Sequence, residues 1–206
     1  MYSYEKELLK NGHLYIAGCD EVGRGPLAGP VVAAAVILDP NVLIIGLNDS
    51  KQLSERKRIA LDVEIRNKAL AFKIVYIYPK EIDKINIYQA SKKAMIMAIE
   101  GLNPKPSFIL SDAMPLNELN IPFESIIKGD TKSATIAAAS IIAKVERDNY
   151  MIEMSKKYPE YGFEKHKGYP TKQHVEALNK YGVLDIHRKT YKPVSDRLNK
   201  QMKFDV

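Results

Sequence analysis

The sequence has 206 residues, 46% hydrophobic and 27% charged, so it can bury a sizeable core and is not disordered as a whole. Lys and Arg number 31 and Asp and Glu 25, and the resulting net charge of +6 permits a polyanionic partner such as nucleic acid. Cys19 is the only cysteine, which excludes an internal disulfide and a cysteine-rich metal site.

The sequence contains no segment that predicts secretion or membrane insertion. Residues 1–10 are polar and lack the apolar centre of a signal peptide. The longest apolar runs, 31–38 and 136–143, are far shorter than the roughly 18 residues of a membrane span. Together with the single cysteine, these observations predict a cytoplasmic protein that does not engage a membrane.

Predicted strands and helices alternate along the chain, which indicates an α/β domain with a mixed sheet. Ser54 is expected to cap a helix that has Ile59, Val63 and Leu70 near one face. The remaining elements are strands at 14–19, 31–38, 72–78, 108–110 and 123–127, helices at 87–99 and 134–156, a loop at 157–170, and a helix from Thr171 to Tyr181.

Four acidic residues stand where apolar runs end: Asp20, Glu21, Asp112 and Asp130. Turns favour Asp, which is a sufficient explanation for any one of them. Four together, with an adjacent Asp-Glu pair before a glycine-rich turn, favour a shared site at one edge of the sheet. Because neighbouring residues on a strand point to opposite faces, Asp20 and Glu21 can share that site only if the strand ends or twists between them.

Crowded carboxylates repel each other, so such a cluster is most readily explained by divalent cations that neutralise it. With oxygen ligands only, the expected ions are Mg²⁺ or Mn²⁺. Two such ions can activate a water molecule and stabilise the leaving oxygen in phosphodiester hydrolysis.

Several motifs resemble the type 2 ribonucleases H, specifically ribonuclease HII. The longest are DEVGRGPLAGPV at 20–31 and the alanine-rich segment 136–148. Shorter matches follow the family's order at 48–51, 111–112, 128–130, 166–171 and 187–188. A related branch, ribonuclease HIII, has an N-terminal substrate-binding domain and a glutamate at the last acidic position. Asp130, and a chain that begins close to its first strand, therefore favour the HII branch.

The resemblance implies a ribonuclease H-like fold with a central mixed sheet, flanking helices and a helical C-terminal portion. One catalytic domain would span residues 1–206, with substrate contacts from about 157 onward. The family's activity is metal-dependent endonucleolytic cleavage of the RNA strand of RNA·DNA hybrids, leaving 5′-phosphates. It also includes incision on the 5′ side of single ribonucleotides in duplex DNA, a step in DNA repair.

The resemblance also assigns roles to residues. Asp20, Glu21, Asp112 and Asp130 would bind the metal ions, Gly23, Arg24 and Gly25 would contact the ribonucleotide, and Tyr169 would stack near the following deoxyribose. Glycines beside Arg24 allow close backbone approach to a sugar edge, and the 2′-hydroxyl is what distinguishes RNA from DNA there. An ordinary tight turn and a packing tyrosine are the alternative explanations.

Basic residues interleaved with tyrosines in the C-terminal part are typical of a surface that follows phosphates. A solvated surface is the alternative for any single lysine. The phosphate-contact candidates are Lys51, Lys144, Lys165, Lys167 and Arg188.

Two other functional readings remain open at this point. One is a nuclease of the same fold that acts on DNA, and the other is a non-catalytic nucleic-acid-binding module. The tail at 201–206 matches a sliding-clamp peptide too poorly to support that partner, and we expect a monomer.

Overall fold

A computed structural model describes the backbone of residues 1–204 and the side chains of residues 1–199. Five strands form a mixed sheet in the order β3-β2-β1-β4-β5. Strand β1 runs antiparallel to β2 and parallel to β4, and β4 runs parallel to β5. The strands are β1 (Ile16–Val22), β2 (Val31–Leu38), β3 (Ala69–Ile77), β4 (Phe108–Asp112) and β5 (Phe123–Ile126).

Helices connect the strands and follow the sheet. Two of them begin at the predicted caps, because Ser54 Oγ accepts the Lys57 N–H at 3.4 Å and Thr171 Oγ1 accepts the His174 N–H at 3.2 Å. The helices are α1 (Ser3–Lys10), α2 (Glu55–Lys68), α3 (Pro79–Ile85), α4 (Ile87–Glu100), α5 (Ala134–Lys157), α6 (Phe163–His166), α7 (Lys172–Tyr181) and α8 (Lys192–Phe204). No helix in the described part of the chain combines the length and apolar character needed to cross a bilayer.

The chain groups into two compact units. The first comprises Met1–Val22, Val32–Tyr76 and Ser91–Val145, and the second comprises Gly23–Val31, Ile77–Ala90 and the described residues from Glu146 onward. The expectation of one catalytic domain, with a substrate-contacting portion from about residue 157, stays a prediction.

In the first unit, helix α5 approaches β1 closely at Gly18. A Cβ on Gly18 would lie 2.1 Å from the Thr135 carbonyl carbon and 2.3 Å from the Ile136 nitrogen, so only glycine permits this contact. Glu5 on α1 caps α5, since its Oε1 accepts hydrogen bonds from the Thr135 N–H and hydroxyl, both at 2.9 Å. These contacts hold the start of α5 against the middle of the sheet.

In the second unit, an aromatic and histidine cluster forms one part of the interior. The rings of Tyr161 and Phe163 stack at 5.3 Å, and the imidazoles of His166 and His174 stack at 4.6 Å. His187 completes the cluster, with its Nε2 3.1 Å from Nε2 of His174. All five side chains are buried.

The buried face of α2 differs from the prediction. Leu61 and Ile65, four residues apart, face the core, whereas Ile59 and Val63 are 47% and 54% exposed. Leu70 lies in β3, beyond the helix, and is also exposed. The prediction was wrong because α2 has apolar residues on more than one side, and only packing decides which of them become buried.

Candidate active site

Three of the four predicted acids meet in the first unit. Asp20 lies on β1, Asp112 is the last residue of β4, and Asp130 lies in a short 3₁₀ turn, Gly129–Thr131. Each contributes a carboxylate oxygen to a group whose members all lie within 4.8 Å of one another. The parallel register pairs Cys19 with Ser111, which places Asp20 and Asp112 one position further along neighbouring strands.

Asp130 is brought to the cluster by the turn that follows β5. The Gly129 N–H donates a 2.8 Å hydrogen bond to Oδ1 of Asp112. A Cβ on Gly129 would lie 2.6 Å from Cδ1 of Ile136, so a larger residue would have to displace that methyl group for the turn to sit this close to α5. The glycine therefore lets residue 130 join two strand residues that are distant in sequence.

Burial and repulsion from neighbouring carboxylates disfavour the charged forms of Asp20 and Asp130. Burial, followed by the charges of Glu21 and Asp112, holds the pKa of Asp20 well above its usual value. Burial and the charges of Asp112 and Asp49 raise the pKa of Asp130 to about 6, although Lys51 opposes the shift. A bound cation would offset this repulsion and so stabilise the site.

Glu21 lies beside this cluster but outside the group of three. Strand β1 does not end at Asp20 but continues to Val22, with Asp20 opposite Ala34 and Glu21 opposite Ala33 on β2. Neighbouring strand residues point to opposite faces, which explains why Asp20 joins the group and Glu21 does not. The metal-binding role of Glu21 stays a prediction.

Two residues beside the acids were not among the predicted site residues. Asp49 lies close enough to Asp130 to raise its pKa, and Ser140 on α5 lies close enough to the Asp20 carboxyl to oppose the rise in its pKa. Ser140 is the one polar residue within 136–143, an interruption that could have identified it. Lys51 is exposed and close enough to Asp130 to act on its pKa, and Lys144 is half-buried on α5.

The second unit contains the predicted recognition turn. Gly23 has a φ of +96°, and a Cβ there would lie 2.2 Å from Nε of Arg147, so the position requires glycine. Gly25 is different: a Cβ there would have one ordinary contact, at 3.6 Å from the Tyr169 ring. Arg24, Gly25 and Tyr169 are exposed, so the structure places these three residues together on the surface of this unit.

Arg188 does not lie on the predicted phosphate-facing surface. Its side chain is 0% exposed, and its guanidinium donates to the carbonyl oxygens of Gly23, Arg24 and Gly29 at 2.5–3.1 Å. A buried group whose donors are used in this way cannot contact a phosphate in this conformation. Sequence alone could not show this, because an arginine beside His187 and Lys189 looks like one more surface cation.

The other two basic candidates of this unit lie near Tyr169. Lys165 is exposed, and Lys167 is half-buried with its ammonium hydrogen-bonded to the Glu164 carbonyl. Two buried histidines bind the backbone around Tyr169. The Gly168 N–H donates to Nδ1 of His166, and Nδ1 of His174 lies 2.9 Å from the Tyr169 carbonyl oxygen. The loop that carries the exposed side chains of Lys165 and Tyr169 is therefore fixed by hydrogen bonds to its backbone.

Comparison with known proteins identifies the family. The ribonuclease HII family model matches residues 17–194. A ribonuclease HII of Bacillus cytotoxicus is 57% identical over 202 residues, which are 98% of this chain and 78% of that protein. The resemblance inferred from the sequence motifs is confirmed.

Solved structures confirm the fold. Ribonuclease H2 from Pyrococcus horikoshii is 28% identical with a TM-score of 0.82, over 92% of this chain and all of that one. Ribonuclease HII from Archaeoglobus fulgidus, solved in complex with PCNA, is 29% identical with a TM-score of 0.72, over 86% and 95% of the two chains. The mixed sheet flanked by helices is thus the predicted ribonuclease H-like fold. The chain belongs to the ribonuclease HII family and is a ribonuclease H endonuclease.

Proposed function

We propose that this enzyme hydrolyses the RNA strand of RNA·DNA hybrids and cuts on the 5′ side of single ribonucleotides embedded in duplex DNA, leaving 5′-phosphates. The observation that carries the proposal is the group of three carboxylates within 4.8 Å, two of which have raised pKa values. Arg24 and Gly25, exposed in the turn that begins at buried Gly23, and the exposed Tyr169 support the ribonucleotide specificity.

The donor set fits divalent cations such as Mn²⁺ or Mg²⁺. The ligand atoms are carboxylate oxygens, which are the donors that these hard ions prefer. Burial makes the repulsion among the acids costly, and a cation of opposite charge removes that cost. Asp20, Asp112 and Asp130 would hold the ions, with Glu21 as a further ligand.

The surrounding residues orient the carboxylates. The Glu21 N–H donates to Oδ1 of Asp20 at 2.7 Å, and the Gly129 N–H fixes Asp112. Bound ions would supply an activated water molecule and stabilise the charge on the leaving oxygen. Strands β1 and β4 and the turn after β5 would hold the three acids, and with them the ions, in position for in-line attack on a phosphodiester.

Recognition of the ribonucleotide would use the second unit. Arg24 and Gly25 would approach the sugar edge that carries the 2′-hydroxyl, because no Cβ at Gly25 obstructs the approach. The exposed ring of Tyr169, beside Gly25, would stack on the neighbouring deoxyribose. Lys51, Lys144, Lys165 and Lys167 are the proposed phosphate contacts, for which sequence composition and surface placement are the support.

A cleavage assay on three duplexes tests the proposal. The substrates are all-DNA, DNA with one ribonucleotide, and a continuous RNA·DNA hybrid of the same sequence. With Mn²⁺ or Mg²⁺ we expect no cut in the first, one cut 5′ of the ribonucleotide in the second, and several cuts in the RNA strand of the third. EDTA should abolish all cleavage. Equal cleavage of the all-DNA duplex would contradict the proposed specificity.

Two further expectations accompany this function. We propose a monomer in the cytoplasm, for which Cys19, buried in β1, is consistent with a reducing compartment. The PCNA complex belongs to the Archaeoglobus relative. The tail at 201–206, whose sequence matches a clamp peptide poorly, lies outside the residues whose side chains are described.

A further inference from the structure

Two buried arginines bind backbone carbonyls in the recognition turn and beside it. Arg147 donates to the carbonyl oxygens of Ala28, Pro30 and Lys167 at 3.0–3.1 Å, and Arg188 donates to those of Gly23, Arg24 and Gly29. Both side chains are 0% exposed. Placing two guanidinium groups in an interior is costly unless their donors are satisfied, and here main-chain carbonyls satisfy them.

Tyr191 adds a second donor at the centre of the turn. Its hydroxyl donates to the Arg24 carbonyl oxygen at 2.8 Å and accepts from Nη1 of Arg188 at 3.0 Å. The Arg188 guanidinium lies over the Tyr191 ring, 5.1 Å from its centroid. The Arg24 carbonyl oxygen is therefore held by two donors that also bind each other.

This arrangement fixes which way the peptide groups of the turn face. The Gly23–Arg24 and Arg24–Gly25 peptide bonds are trans. In a trans peptide the N–H points opposite to the carbonyl oxygen. Because the oxygens of Gly23 and Arg24 point at Arg188, the N–H groups of Arg24 and Gly25 point away from it, on the exposed side of the turn.

We propose that Arg188 and the Tyr191 hydroxyl are positioning residues for ribonucleotide recognition: they orient the Arg24 and Gly25 amides toward the sugar edge of the substrate without touching it. This rests on the proposed function for its substrate. It replaces the expectation that Arg188 contacts a phosphate. Arg188 acts through the carbonyls of Gly23 and Arg24 in the turn and of Gly29 beyond it, and Tyr191 acts through the Arg24 carbonyl.

The sharpest test is Tyr191→Phe with Tyr161→Phe as its control. Each substitution deletes one tyrosine hydroxyl that donates to a carbonyl in the same unit, to Arg24 at 2.8 Å or to Gly182 at 2.6 Å. Both should lower stability by a similar small amount. Only Tyr191→Phe should slow cleavage of the single-ribonucleotide duplex, with kcat reduced between about twofold and about tenfold and KM little changed.

A readout independent of cleavage separates this inference from the proposed function. The amide NMR chemical shifts of Arg24 and Gly25 should change in Tyr191→Phe and not in Tyr161→Phe, because they report the hydrogen bonding and orientation of these peptide groups. If these chemical shifts change but the wild type spares the single-ribonucleotide duplex, the proposed function fails and the positioning of the turn stands. Unchanged chemical shifts and kcat in Tyr191→Phe would overturn the inference.

Arg188→Gln and Arg188→Lys distinguish positioning from phosphate contact. A lost phosphate contact would reduce the magnitude of the log–log salt slope of duplex binding by roughly 0.9 in Arg188→Gln and leave it intact in Arg188→Lys. A positioning role predicts an unchanged salt slope in both variants and a reduced kcat. The kcat of Arg188→Lys should be only partly recovered relative to Arg188→Gln, because one ammonium cannot reach all the carbonyls that the planar guanidinium binds. A flatter slope in folded Arg188→Gln would return Arg188 to the phosphate-contact role.

Discussion

The Gly129 N–H donates a 2.8 Å hydrogen bond to Oδ1 of Asp112, which ties the turn carrying Asp130 to the end of β4. Through this bond an acid 18 residues further along the chain joins the two that the parallel strands β1 and β4 bring together. The same bond orients the Asp112 carboxylate. The local geometry of one glycine thus completes the acidic cluster, and it is the basis of the first two predictions.

Asp20→Asn, Asp112→Asn and Asp130→Asn should each reduce kcat by about a hundredfold or more while duplex binding is retained. The amide keeps the shape of the side chain but removes the charge that holds the ions, which supply several kcal/mol of charge stabilisation. Single-turnover cleavage and duplex binding should be measured side by side. Asp185→Asn, at an exposed position outside the cluster, is the control. Near-normal turnover in any of the three variants would remove that acid from the metal site.

Metal ions should stabilise the wild type against heat. At 100 times the dissociation constant, binding contributes about 2.7 kcal/mol, which corresponds to a rise in Tm of about 5–10 °C for a chain of this size. Asp130→Asn should lose most of this rise and should have a higher Tm than the wild type in EDTA, because it removes one of the crowded carboxylates. Thermal unfolding with and without Mn²⁺ measures both effects. An equal rise in Asp130→Asn would place the ions elsewhere.

Tyr169→Ala should impair cleavage at a single embedded ribonucleotide severely, and Tyr169→Phe should be milder. The ring is 40% exposed, so removing it leaves the buried core intact. Only the hydroxyl is lost in the Phe variant, at about 0.5–1.5 kcal/mol for an ordinary hydrogen bond. Relative rates on the single-ribonucleotide and continuous hybrid duplexes provide the measurement. Wild-type rates in Tyr169→Ala would show that Tyr169 has no part in reading the junction.

Lys165→Ala should flatten the salt dependence of duplex binding more than Lys167→Ala. Each phosphate contact on B-form DNA contributes roughly −0.9 to the log–log slope. Lys165 is exposed, whereas the Lys167 ammonium already donates to the Glu164 carbonyl. Binding isotherms at four or more salt concentrations give the slopes, with exposed Lys10→Ala as a matched charge control. A slope unchanged in the Lys165, Lys167 double variant would assign the phosphate contacts to other residues.

The buried histidines should make the protein less stable in mild acid. Burial, followed by the charge of a neighbouring histidine, lowers the pKa of His187 to about 4, and burial lowers that of His174 to about 4. Unfolding returns the pKa to about 6.5, so the unfolded state binds the proton first and stability falls as pH drops from about 6.5 toward 4. One such ring accounts for about 2 kcal/mol between pH 7.5 and 5.

Urea unfolding across this pH range measures the effect. His187→Asn should flatten the pH dependence of the free energy of unfolding. A pH dependence equal to that of the wild type in His187→Asn would show that this ring titrates normally in the folded protein.

Local patterns in the sequence were sufficient to predict most of the secondary structure. Several predicted signals correspond to observed elements, because they depend on near neighbours in the chain. They are the caps Ser54 and Thr171, the apolar runs at 31–38 and 108–110, and the alanine-rich segment at 134–156. The motifs around Asp20 and Gly23 were long enough to identify the family. The helix Ser3–Lys10 was not predicted, because its short polar pattern carries little local signal; it is held by Glu5, which caps α5.

The placement of individual side chains depended on contacts between distant residues. Sequence alone named Asp20, Asp112 and Asp130, but only the strand register and the Gly129 turn decided that these three meet while Glu21 lies beside them. Sequence alone marked Arg188 as a cation, and only the fold decided that it lies in the interior with three carbonyls as partners. The physical reason is that burial and hydrogen-bond partners are properties of residues brought together across the chain, whereas residue identity and periodicity are properties of the chain itself.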